Sequence, residues 1–341
     1  MEHRLLGRTG VSVSKLCLGT MMFGDWGTKD HDESIKIIHR ALGAGINFVD
    51  TADVYSQGES EVIVGKALAG RRDDIVLATK VHMPMGDDPN HRGNSRRWII
   101  REVESSLRRL GTDWIDLYQI HRYDPAVDLD ETLGALTDLV RAGKVRYIGH
   151  STFPPSAIVD AQWTSRDRSR ERFVSEQPSY SILTRAVENE VLPVCQRYGM
   201  GVIPYSPIAA GWLSGRYRKD SDTTGPMSIA RQRLANRFDL SLPANQRKLD
   251  AAEQLAKLAE EAGITLIQMA IAFVLRHPAV TAAIIGPRTM EHLASQLAAA
   301  DIELSDDVLD RIDEIVPPGV TLNPADNGWV SPSLQPSVRR R

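Results

Sequence analysis

Four times in this chain a helical stretch closes on a glycine and a strand follows within one to four residues: at Gly45, Gly111, Gly143 and Gly199. Glycine reaches the left-handed conformation that ends a helix without steric cost, so each marks an α-to-β connection. Leu139-Val140-Arg141-Ala142-Gly143-Lys144-Val145-Arg146-Tyr147-Ile148 shows the pattern whole. Apolar runs of strand length fall at 14–19, 46–50, 75–80, 115–120, 145–150, 173–177, 201–205 and 281–285. Helical periodicity lies between them, at 31–44, 59–69, 95–110, 131–142, 155–165, 187–198 and 265–277. Asp30 and Glu33 read as a capping box for the first helix. Strands that alternate with helices pair in parallel, and eight of them predict a closed (β/α)8 TIM barrel of the α/β class.

Three segments exceed a minimal barrel. Residues 3–12 read as an N-terminal hairpin able to plug the barrel bottom. Residues 208–245, rich in Arg, Gly and Ser, form a long loop after strand 7. Residues 317–341 form an irregular tail, placed to fold across the mouth. One barrel domain holds 341 residues, so the expectation is a single domain over 1–341. A net charge of −3 with both signs interspersed gives no basic stripe for nucleic acid or a membrane surface. Arg339-Arg340-Arg341 reads as a solvated end. Cys17 and Cys195 match no metal or redox spacing. The start lacks a charged-then-apolar leader and no apolar run reaches membrane-spanning length, so a soluble cytoplasmic protein is expected.

Ligand chemistry in such a barrel belongs at the carboxyl ends of its strands. Asp50, Lys80 and His121 each stand just past an apolar run, at the ends of the second, third and fourth strands, and Tyr55 follows Asp50 closely. A phenol ordinarily titrates near about 10, and a neighbouring ammonium is expected to lower that value and improve a general acid. Asp50 would hold Lys80 charged, and His121 would orient an oxygen or relay a proton near neutral pH. Singly, each residue has a plain structural use: a turn cap, a half-buried aromatic, a solvated strand end, a hydrogen-bonded histidine. Their joint placement on three successive strand ends argues for a shared task.

The run Phe48-Val49-Asp50-Thr51-Ala52-Asp53-Val54-Tyr55, with Gly58-Glu59-Ser60-Glu61 and Val64-Gly65, resembles the signature of the aldo-keto reductase family. Thr79-Lys80 and the run from Leu107 to His121 are similar too, and the likeness extends from Leu5 to about Asp313. The long loop resembles the branch holding bacterial aldehyde reductases and potassium-channel β subunits. The resemblance implies reduction of an aldehyde or ketone with NADPH, by hydride transfer. It makes Tyr55 the general acid, with Lys80 tuning it, Asp50 supporting Lys80 and His121 orienting a small carbonyl substrate.

No Gly-x-Gly-x-x-Gly fingerprint follows the early strands, so a nicotinamide cofactor must lie on the barrel mouth. Candidates are Ser151 and Thr152 at strand 5, Gln177 at strand 6 and Tyr205-Ser206-Pro207 at strand 7. Hydroxyl and amide groups there suit a carboxamide, and an aromatic face suits the ring. The family usually has Ser-Asn where this chain has Ser151-Thr152. Gly286-Pro287-Arg288-Thr289 ends strand 8 before a helix, a geometry that fits a phosphate. The resemblance assigns Arg288 and Thr289 to the 2′-phosphate, His292 and Gln296 to adenine, and Gly211, Leu213 and Gly215 to the pyrophosphate. Thr20, Met21 and Asp50 complete its cofactor set.

Met22, Phe23, Trp26, Tyr123, Trp212 and Trp329 are candidates to wall an apolar substrate pocket, beside ordinary loop packing; of these Met22, Trp26 and Tyr123 lead. The loop at 82–97, with Asp87, Asp88, His91 and Arg92, is a further candidate. Two rival readings stand beside the reductase. A metal-dependent hydrolase would need converging ligands, against which Lys80 is a repelling cation. A nicotinamide-binding regulatory subunit with little turnover would use the same fold and cofactor site.

Overall fold

The computed structural model describes residues 1–219, 234–330, 334 and 336–339. Most of the long loop's middle, and parts of the C-terminal tail including Arg340 and Arg341, lie outside the described residues. A hairpin of β1 (His3–Leu5) and β2 (Ser12–Ser14) precedes eight barrel strands. These are β3 (Leu16–Gly19), β4 (Phe48–Asp50), β5 (Val76–Val81), β6 (Ile115–Ile120), β7 (Val145–Ser151), β8 (Ser175–Gln177), β9 (Gly201–Val202) and β10 (Ala283–Ile285). They form one parallel sheet in the order β10-β3-β4-β5-β6-β7-β8-β9. The Thr281 amide donates to Val202 O at 2.8 Å and the Ile284 amide to Pro204 O at 2.9 Å, joining β9 to β10. The sheet therefore closes on itself as a (β/α)8 barrel, and the expected hairpin is present.

Pleating sorts each strand's side chains into two cores. Outward residues such as Val49, Leu77 and Tyr118 join the large cluster under the helices. Inward residues Cys17, Phe48, Ala78 and Leu117 meet Leu6 and Val13 of the hairpin segment, which seal the amino-terminal end. One pleat further toward the carboxyl ends, the same strands present Asp50, Lys80 and Gln119 instead. The barrel is thus apolar below and polar above, and the change occurs over two residues.

The helices form where apolar spacing and end chemistry agree. Helix Arg96–Leu110 buries Trp98, Ile99, Val103, Leu107 and Leu110 along one stripe; Ser95 caps its start, and Gly111 at φ 63° ends it. At the first helix Asp30 accepts from the Asp32 and Glu33 amides, but the reciprocal Glu33 bond of a capping box is missing there. The reciprocal pair is found at Thr265 and Gln268 instead. Helices Pro243–Glu261 and Asp306–Ile315 were not anticipated. The first buries an alanine-rich stripe (Ala251, Ala252, Ala256 and Ala259), and such small side chains give little hydrophobic contrast. The first barrel strand begins at Leu16, because Ser12–Ser14 pairs within the hairpin. Among the described residues, no single helix is long and apolar enough to cross a membrane.

Candidate active site

Asp50, Lys80 and Gln119 face one another from neighbouring strands, and Gln177 reaches across from β8. Lys80 Nζ donates to Asp50 Oδ1 at 2.5 Å, to Thr51 O at 2.7 Å and to Tyr55 Oη at 3.2 Å. An ammonium has three donors, so Lys80 is saturated and has none left for a ligand. Asp50 Oδ2 accepts from Gln119 Nε2 at 2.9 Å and from Gln177 Nε2 at 3.0 Å. Lys80 and Asp50 are both buried, and the network leaves neither charge unpaired.

Because Lys80 can only donate, Tyr55 Oη accepts from it and keeps its own proton free to donate elsewhere. The edge of His121 meets the Tyr55 ring with centroids 5.9 Å apart, and the Trp26 ring lies 6.1 Å from Tyr55. The expected lowering of the Tyr55 pKa is not what results. Burial raises the phenol above its ordinary value, and the opposing Lys80 charge does not cancel that rise. Tyr55 therefore stays protonated at physiological pH. Nor does His121 titrate near neutrality: burial, then the Arg122 and Lys80 charges, hold its pKa well below the usual histidine range. Its Nδ1 is buried without a partner among the described residues. Lys80 moves the other way, kept protonated because Asp50 and Tyr55 outweigh its burial.

Tyr55 stands on a turn that the backbone adopts at a cost. Ser56 and Gln57 follow it at φ 48° and 55°, the left-handed region that side chains disfavour. Ser56 Oγ steadies the turn, accepting from the Trp26 amide at 3.1 Å and donating to Phe23 O at 3.3 Å. Behind it, Arg109 donates to Glu61 at 2.6 Å and Glu102 at 2.5 Å, and its side chain fills the space where Gly58 lacks a Cβ. Asp53 belongs to this acidic group. Burial, then Glu61 and Glu102, raise its carboxyl well above the usual range, and its Oδ2 has no partner among the described residues.

The cofactor candidates divide by what their side chains already do. Thr20 Oγ1 donates to Asp50 O at 3.2 Å and sits 2.9 Å from Ser60 Oγ, whereas Met21 is exposed at the rim. Ser151 Oγ donates to Gln177 O at 2.8 Å. Gln177 gives its side-chain amide protons to Asp50 and Gln119, leaving its side-chain Oε1 without a protein partner among the described residues. Thr152 lies at φ 56°, and Ser206 at φ 58° precedes buried Pro207. Half-buried Tyr205 underlies the tail: a Cβ on Gly328 would fall 2.2 Å from Tyr205 Oη and 3.1 Å from Thr152 Cγ2. At Gly328 the described part of the tail packs against the mouth. Gly211 and Gly215 both have positive φ, and between them the Leu213 side chain is wholly buried.

At β10 the cradle is open. A Cβ on Gly286 would meet nothing within 4 Å. The Arg288 guanidinium has no protein partner among the described residues, and its carbonyl accepts from Thr28 Oγ1 at 2.8 Å. Thr289 caps helix Met290–Leu297 by accepting from the His292 amide at 3.2 Å. His292 is half-buried, and the buried Gln296 has an unpaired Oε1. An unpartnered guanidinium at a helix start fits a phosphate, and an orphaned amide oxygen fits an N–H donor such as an amide or amino group of a dinucleotide.

Among the substrate candidates, Met22, Trp26, Tyr123 and Trp329 are half-buried, and Tyr123 packs its edge on Phe153 at 5.3 Å. Phe23 and Trp212 do not wall a pocket. Phe23 is core, and Trp212 stacks on Tyr217 at 4.2 Å, under Lys248 Nζ at 4.6 Å. In the loop at 82–97, Asp87, Asp88 and Arg92 are exposed and His91 stacks on Trp98. Gln119 was missed because it lies within an apolar run; its place two residues before His121, in step with Leu117, is the signal that marks it. Among the described residues, no three His, Cys, Asp or Glu side chains converge as a metal site.

The Aldo/keto reductase family model matches residues 15–317. The chain is 41% identical over 328 residues to "Uncharacterized oxidoreductase YrpG" of Bacillus subtilis, covering 93% of this chain and 96% of that protein. It is 35% identical to a "Putative voltage-gated potassium channel subunit beta" of Schizosaccharomyces pombe, covering 93% of each chain. Identity to the versiconal hemiacetal acetate reductase of Aspergillus parasiticus is 32%, over 92% of this chain and 96% of that one. With a family match spanning nearly the whole barrel, the chain belongs to the aldo/keto reductase family.

Proposed function

We propose that this protein reduces an aldehyde or ketone to an alcohol with NADPH, Tyr55 acting as general acid. The observation that carries the reading is the saturated Lys80, which obliges Tyr55 Oη to accept from it and aims the phenol's proton outward. Bound NADPH supplies the hydride. Tyr55 donates its proton to the carbonyl oxygen as that oxygen gains charge, and Lys80 stabilises the phenolate left behind. Neutral His121 orients the same oxygen by hydrogen bonding. Asp50, held by Gln119 and Gln177, keeps Lys80 in place. Ser151, Thr152 and Gln177 would hold the carboxamide, Tyr205 would offer its ring to the nicotinamide, and Arg288 with Thr289 would receive the 2′-phosphate.

Support for reduction comes also from the relatives whose names are oxidoreductase or reductase. The reading keeps the protein in the cytoplasm, in line with its two free, buried cysteines. A second reading, a nicotinamide-binding regulatory subunit, draws on relatives named as potassium channel subunits. Initial rates with NADPH and a reactive aromatic aldehyde separate the two. Steady oxidation of NADPH is the expected result; tight binding without turnover would favour the subunit.

A further inference from the structure

Two ionisable side chains that the mechanism leaves unused lie wholly buried beside the carboxamide candidates. His150 and Glu176 are each 0% exposed. They stand directly opposite one another in the β7–β8 ladder, and Ser151 and Gln177 form the next opposed pair. Because faces alternate along a strand, Ser151 and Gln177 turn into the barrel while His150 and Glu176 turn out toward the helices. There His150 Nδ1 and Glu176 Oε2 share a hydrogen bond. The imidazole stacks on Phe153 at 4.3 Å and meets the edge of Phe173 at 4.8 Å. His150 Nε2 and Glu176 Oε1 have no partner among the described residues.

A polar pair in an aromatic layer costs stability that apolar residues of similar size would not. What it supplies is a fixed distance. β8 is only three residues long, and its ladder to β7 ends on a single backbone bond, from the Thr152 amide to Gln177 O at 3.2 Å. Ser151 reaches the Gln177 carbonyl at 2.8 Å, and the Gln177 amide reaches Asp50 at 3.0 Å. A slip between β7 and β8 would move both. Thr152, the next residue, is a β-branched side chain at φ 56°, so this corner already carries strain.

We propose that His150 and Glu176 are positioning residues whose hydrogen bond sets the spacing of Ser151 and Gln177, and so the fit of the nicotinamide carboxamide. This rests on the cofactor reading given above. The test compares wild type with the double variant His150→Leu/Glu176→Met, with Glu176→Gln, which keeps the hydrogen bond, and with Ser151→Ala. The measurements are Kd for NADPH, Kd for the fragment 2′,5′-ADP, and thermal stability.

The double variant is expected to be at least as stable as wild type and to bind NADPH about tenfold more weakly. Its 2′,5′-ADP affinity is expected to stay within about twofold, and Glu176→Gln to match wild type for both ligands. Equal weakening of NADPH and the fragment would overturn the proposal by showing general damage. A double variant that binds NADPH like wild type, while Ser151→Ala does not, would overturn the clamp and leave the cofactor reading intact. If Ser151→Ala also binds normally, the carboxamide reading falls and the clamp with it. If the double variant fails to fold, Glu176→Leu takes its place: NADPH bound about tenfold more weakly with unchanged 2′,5′-ADP affinity supports the clamp, and wild-type binding of both overturns it.

Discussion

The Lys80 ammonium lies 3.2 Å from the Tyr55 hydroxyl and 2.5 Å from Asp50 Oδ1, so one cation couples a phenol to a fixed carboxylate. Replacing Lys80 with Met removes the charge proposed to stabilise the Tyr55 phenolate and leaves Asp50 without its cation. Turnover is expected to fall by about a hundredfold or more, as for loss of a general acid's activating partner. The Kd for NADPH measures whether the cradle survives, and is expected to change little.

His121 is expected to set no pH limit near neutrality. Its pKa lies well below the ordinary value, because of burial and then Arg122 and Lys80. Reduction rates should stay flat as pH falls through about 6.5, the value of a free histidine. A depressed histidine contributes stability that is full above the unfolded pKa and lost as pH falls toward the folded one. Denaturant midpoints of wild type should therefore drop below about pH 6.5, and those of His121→Asn should drop less.

Asp53 and Asp50 stand three residues apart in one motif and should respond oppositely to amidation. The folded pKa of Asp53 is raised by burial, then by Glu61 and Glu102. Its stabilising contribution is complete below the unfolded value, about 3.9, and is lost as pH rises toward the folded one. Asp53→Asn is expected to be more stable than wild type at neutral pH, with the gain shrinking toward pH 4. Asp50→Asn strands Lys80 in the barrel and is expected to lose about 3–5 kcal/mol. Urea melts across pH check both.

How much of this was legible in sequence depended on periodicity. The four glycines end helices at φ from 63° to 90°, as the αβ punctuation required. Apolar runs placed Asp50, Lys80 and His121 at the carboxyl ends of three successive strands. The expected barrel makes the fifth and sixth strands neighbours but does not fix their register, so the opposition of His150 to Glu176 was invisible. Burial is likewise a property of the assembled barrel. That is why Lys80 was expected to govern the Tyr55 pKa when desolvation does, and why Phe23 and Trp212 read as pocket walls.

Cofactor preference is expected to rest on Arg288, whose guanidinium has no protein partner among the described residues. Arg288→Ala should raise the Kd for NADPH about ten- to a hundredfold, the worth of a charge-assisted hydrogen bond. The Kd for NADH should shift by less than about twofold. Fluorescence titration with both nucleotides makes the comparison, and equal weakening would remove Arg288 from the 2′-phosphate.

The central claim is tested most directly by Tyr55→Phe, which keeps the ring and deletes only the hydroxyl. With NADPH and a reactive aromatic aldehyde, turnover is expected to fall by about 10²–10⁴-fold, while the Kd for NADPH stays near the wild-type value. Turnover retained in the variant would contradict a proton delivered by Tyr55.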